Sequence, residues 1–85
     1  MPVISRFYGI AIAIYWRDHS PPHFHAKYGG FEVEVNIRDG VFYGRMPQRA
    51  IRMVQSWRTR HMAKLLANWD RAQIGEPLMD IEPLE

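Results

Sequence analysis

The sequence predicts an α+β fold: a four-stranded antiparallel β-meander followed by one long C-terminal helix, with room for a kink, packed on the sheet. Three observations carry this. Apolar residues alternate with period two between residues 7 and 45, in runs separated by turn residues. From Pro47 the apolar period becomes three and four. The chain has 85 residues, 47% hydrophobic and 24% charged, which suits one globular domain and no more. That domain spans 1–85, with strands within 1–45, a helix over about 47–74 and an acidic, extended tail over 75–85.

Residues 7–16 read as the first strand. Tyr8, Ile10, Ile12, Ile14 and Trp16 mark one face, and the small Gly9, Ala11 and Ala13 lie on the other. Pro21 and Pro22 end the pattern by fixing φ and removing two amide donors. Residues 23–28 form a second strand, Gly29-Gly30 a two-residue hairpin turn, and 31–37 a third strand with Phe31, Val33, Val35 and Ile37 inward. Arg38-Asp39-Gly40 turns the chain into a fourth strand at 41–45. Pro47 suits the first helical position. Ala50, Ile51, Val54, Trp57, His61, Leu65, Trp69 and Ala72 then make one apolar stripe of about seven turns. Gly75 and Pro77 stop it.

Composition narrows the setting. The chain has no cysteine, so disulfides and thiolate metal sites are excluded and any metal would use His, Asp or Glu. The opening residues lack the basic region and apolar core of a signal peptide, and the apolar run at 10–16 is too short to span a bilayer. A cytoplasmic location without membrane association is the expectation. Net charge is only +2, but its distribution is uneven. Arg49, Arg52, Arg60 and Lys64 lie on the polar face of the helix, whereas Glu76, Asp80, Glu82 and Glu85 follow it. Such a basic stripe is commonly a solvated surface. Its other readings are a contact for RNA phosphates or for an acidic protein.

The chemistry, if there is any, centres on residues 18–28. His19, His23 and His25 fall within seven residues of sequence. On a strand, His23 and His25 point to one face with Cα atoms about 6.5–7 Å apart. Returned by the diproline bend, His19 could join them, with Asp18 as ligand or orienting acceptor. Three nitrogens with an open position suit zinc or another divalent transition metal. The same residues could serve metal-free acid–base chemistry on a phosphodiester, assisted by Arg6, Tyr8, Lys27 and Tyr28. Equally, each imidazole could simply bond its own turn. His61, inside the apolar stripe, reads as a core histidine.

Two strings resemble a known family: Ile4-Ser5-Arg6-Phe7-Tyr8-Gly9-Ile10 and Asp18-His19-Ser20-Pro21-Pro22-His23-Phe24-His25-Ala26-Lys27-Tyr28-Gly29. Asn68-Trp69 with Ala72, and Gly75-Glu76-Pro77-Leu78 leading to Ile81-Glu82-Pro83-Leu84, extend the likeness. The chain resembles the small bacterial proteins called domain of unknown function 4160. The resemblance makes Arg6, Tyr8, Asp18, His19, Pro21, Pro22, His23, His25 and Tyr28 its hallmark positions. It implies no established activity. It does imply a toxin–antitoxin-like setting, since members are often encoded beside a second small protein. One departure is the helix over 57–66, commonly acidic in members but here carrying Arg58, Arg60, His61 and Lys64.

The leading expectation is therefore a toxin-like component of a bacterial two-protein module that acts on RNA. His19, His23, His25, Arg6, Lys27 and Tyr28 would do the chemistry, and Tyr8, Asp18, Arg49, Arg52, Arg60 and Lys64 would bind. The alternatives are a non-catalytic protein-binding module and a metal protein ligated by His19, His23 and His25. The first needs no cofactor, the last a divalent metal. Expected partners are the co-encoded small protein, RNA, or a second copy joined through an edge strand.

Overall fold

A computed structural model describes residues 2–85. It holds an antiparallel sheet of five strands, not four, in the order β1 (Val3–Phe7), β2 (Ile10–Ala13), β3 (His23–Tyr28), β4 (Phe31–Asn36) and β5 (Phe42–Arg45). Helices α1 (Gln48–Arg60) and α2 (Met62–Gln73) follow. The α+β class and the antiparallel meander stand; the strand count and the single helix need correction.

The strand expected over 7–16 is the β1–β2 hairpin. Phe7 pairs with Ile10, and Tyr8 and Gly9 turn the chain with φ of 48° and 81°. Two successive positive φ values match the two-residue turn that suits the strand twist. The alternation misled because it ran unbroken through the turn. Tyr8 supplied an apolar residue where the chain reverses, and only Gly9 hinted at the reversal. Gly29-Gly30 turns β3 into β4 as expected, with Tyr28 opposite Phe31.

The long helix breaks at His61, whose ψ of 24° lies outside the helical range. Unbroken over residues 48–73 it would measure about 39 Å, beyond the 33 Å longest dimension of the molecule. The break lets Val54 and Trp57 of α1 and Leu65 and Trp69 of α2 all enter the core. Pro47 lies one residue earlier than expected, as the N-cap whose carbonyl accepts from the Ile51 amide.

Ile10, Ile12, Phe24, Val33 and Val35 line the core side of the sheet. Trp57 is fully buried, 5.4 Å from the Phe7 ring and 5.8 Å from Phe24. Phe31, expected inward, is exposed at the end of β4. The tail is fastened down. Ile81 is buried and its amide donates to Ile4 O of β1 at 2.8 Å, Asn68 exchanges two hydrogen bonds with Met79, and Trp57 Nε1 donates to Glu82 O. Among the described residues, no helix is long and apolar enough to cross a membrane.

Candidate functional site

Period two divides β3. Phe24 and Ala26 enter the core, so His23, His25 and Lys27 face the other side of the sheet. Register supplies their neighbours: His25 pairs with Ala13 and Glu34, and Lys27 with Ala11 and Glu32. The two alanines leave space over the strand. Tyr15 sets its ring edge-on to His25 at 4.6 Å.

The segment between β2 and β3 returns Asp18 over these histidines. The amide of Arg17, a residue with φ of 56°, donates to Ala72 O at the end of α2, and Gln73 Nε2 donates to Asp18 O. Trp16 Nε1 donates to Glu76 O. On the β4 side, the Ile37 amide donates to Pro22 O. Asp18 is thus held from the helix end as well as from the sheet.

Its carboxylate is the hub. Oδ2 lies 2.9 Å from His23 Nε2 and 3.5 Å from His25 Nε2, while Oδ1 accepts from the His19 amide at 2.8 Å. Burial pushes the Asp18 carboxyl up, but the His19 amide, the hydrogen bond and charge of His23 and the bond from His25 outweigh it. The net effect holds the group below its usual value. His23 is buried, 2% exposed, with its Nδ1 2.8 Å from Pro21 O. A carbonyl only accepts, so that nitrogen carries hydrogen and Nε2 is the one turned to Asp18. His25, 16% exposed, turns Nδ1 toward Glu32 Oε2 at 3.4 Å.

Asp18, His23 and His25 each offer a ligand atom within 4.8 Å of the other two, and Asp18 Oδ2 faces Nε2 of both histidines. Ligands bonded to one transition-metal ion at about 2.0–2.2 Å stand about 3.0–3.5 Å from each other, close to the 2.9 and 3.5 Å separations found here. The outer nitrogens meet a carbonyl and a carboxylate, the backing that orients imidazole ligands. His19, expected in the same ligand set, lies beside His23 with ring centroids 5.2 Å apart and its Nε2 3.7 Å from Asp18 Oδ1. Its side chain is 73% exposed, and it groups with His23 and Glu34. The two groups share His23.

The other expected residues divide by position. Arg6 pairs with Ala11, which pairs with Lys27, so both cations lie on the histidine face, one row along from His25. Lys27 is 3.9 Å from Glu32. Tyr28 is on the opposite face, packed against the core, and does not meet the histidines. With the exposed Tyr8 and with Arg49 it lines a separate cleft beside Met53 and Leu84. Arg52 and Arg60 are exposed on α1, and Lys64 donates to both oxygens of Glu82 at 2.7 Å. His61 lies beside Trp57 at the helix break, with ring centroids 5.5 Å apart. Glu32 and Glu34 are the site residues that the sequence pattern left unnamed. Counting the register outward from Gly29-Gly30 would have placed them across from Lys27 and His25.

Neither a curated protein nor a solved structure matches the chain. A match to one family spans residues 9–70, covering the whole of 18–28 and leaving Arg6, Tyr8 and the tail outside. The chain belongs to the family described as Domain of unknown function (DUF4160).

Proposed function

We propose that this protein binds one divalent transition-metal ion through Asp18, His23 and His25, and that this centre is what lets it act on RNA as the toxin-like member of a bacterial two-protein module. The observation that carries the metal reading is the convergence of Asp18 Oδ2, His23 Nε2 and His25 Nε2 while Pro21 O and Glu32 back the outer ring nitrogens. Two nitrogens and one oxygen favour zinc or a neighbouring first-row ion. Three protein ligands leave a position for water, which a bound ion activates at neutral pH. Arg6 and Lys27 on the same face supply positive charge for a phosphate backbone.

The metal-free alternative fits less well. Acid–base catalysis needs imidazoles that exchange protons with substrate, whereas His23 is buried with both ring nitrogens facing acceptors. The test is expression of the chain in a bacterial host with and without the gene encoded beside it. Growth arrest relieved by that neighbour, and lost in a folded His25→Ala variant, supports the reading. Arrest that survives His25→Ala and Asp18→Asn contradicts it.

A further inference from the structure

The sheet treats its two edges differently. The outer edge of β1 is covered by the tail through the Ile81 amide and Ile4 O. Among the described residues no strand pairs with the outer edge of β5, where Val41, Phe42 and Tyr43 are exposed apolar side chains. Lysine and proline, which usually protect an open edge, are both missing from residues 41–45. The Asn36 amide donates to Val41 O at 2.8 Å. By alternation Tyr43 also faces β4, leaving the N–H and C=O of Phe42 turned outward, with no partner among the described residues.

We propose that this edge pairs with the same edge of a second copy, antiparallel, with the two-fold axis at Tyr43. That register sets Tyr43 against its counterpart and Phe42 against Gly44. An aromatic ring laid over a cross-strand glycine fills the space the glycine leaves. It also sets Arg45 of each copy against Val41 of the other, on the face that carries Glu34, and beside Asp39. The one charge on the strand therefore arrives near carboxylates. A register centred on Arg45 would oppose two guanidinium groups.

The pairing reaches the histidine site without depending on the metal. A cavity of about 230 Å³ runs from His23 and Glu34 past Asn36 and Asp39 to Val41 and Tyr43. The second copy would wall its open end and bring Arg45 to it. Ligands entering along this cavity would meet residues of both chains.

Sedimentation equilibrium of the full chain across a range of concentrations tests this. The expected mass rises toward twice 10.0 kDa, and Tyr43→Lys, which opposes two ammonium groups at the axis, returns a single-chain mass with an unchanged far-ultraviolet circular dichroism spectrum. Because the chain has no cysteine, Tyr43→Cys gives a second readout. Opposed residues in such a pair bring Cβ atoms within reach of a disulfide, so mild oxidation should link two Tyr43→Cys chains but not two Arg45→Cys chains. A single-chain mass at every concentration, a dimer that survives Tyr43→Lys, or equal linking by both cysteine variants overturns the proposal. So does a monomer whose β5 edge takes up a strand from a different protein.

Discussion

His23 Nε2 lies 2.9 Å from Asp18 Oδ2, and its ring is 98% shielded from solvent while Asp18 is not. A buried imidazole joined to a partly exposed carboxylate ties the segment between β2 and β3 to the sheet. The same pair presents its atoms to whatever enters beside His25. Structural and chemical roles therefore meet in one contact, and variants must separate them.

Asp18→Ala should destabilise the apoprotein by roughly 1–3 kcal/mol, because the buried His23 Nε2 loses its hydrogen-bond partner. Asp18→Asn keeps a hydrogen-bonding oxygen, so it should cost less than Asp18→Ala while still removing the anionic ligand. Thermal unfolding of both variants in the presence of a chelator reads the difference. Equal losses would mean that the negative charge, not the acceptor, supports His23.

Arg58 is buried on the helix α1 face nearest the β4–β5 turn. Its guanidinium donates to Ile37 O at 2.9 Å, to Arg38 O at 3.3 Å and to Gln55 Oε1 at 2.9 Å. Arg58→Ala should cost roughly 1–3 kcal/mol by leaving these acceptors unpaired. Faster amide exchange at Arg38 to Val41 would place the damage in that turn. Chemical denaturation gives the magnitude.

Gly44 has φ of 113°, and a Cβ there would collide with the backbone oxygen of Glu32. Gly44→Ala should therefore cost at least about 1–3 kcal/mol of strain. The melting temperature should fall, with β5 exchanging its amides first. A neutral substitution would contradict the tight approach of β5 to β4.

Lys64 and Glu82 link α2 to the tail, and the Lys64 hydrogen bonds and charge hold the exposed Glu82 carboxyl below its usual value. A depressed folded value means the contribution is present above the ordinary carboxylate range and is lost as pH falls through the folded value. Tail attachment should weaken in acid and in high salt. Protease cleavage within residues 76–85 should quicken under both conditions. Glu82→Gln should quicken that cleavage already at neutral pH and remove its dependence on pH.

How much of this was legible in the sequence follows from which forces are local. Gly29-Gly30 and the period-two runs on either side sufficed for β3 and β4, because side-chain alternation and a glycine turn are local properties. Tyr8-Gly9 was missed because a tyrosine in the left-handed region looks like any apolar strand residue. The helix break at His61 left no proline or glycine; it arises from the length of helix that the sheet can cover. The histidines were visible as a cluster, yet the partition was not. Asp18 joins His23 and His25 as the third converging group because the Arg17 amide donates to Ala72 O and Gln73 Nε2 donates to Asp18 O, which holds it at the end of α2, and those contacts span more than fifty residues of chain. Tyr28 and Lys27 are adjacent in sequence and on opposite faces in space.

Cobalt(II) titration followed by visible absorption tests the metal centre most directly. One equivalent should bind, with d–d bands that zinc displaces and that weaken or vanish in Asp18→Asn and His25→Ala but persist in His19→Ala. Absence of saturable binding, or a spectrum unchanged by Asp18→Asn and His25→Ala together, would contradict it.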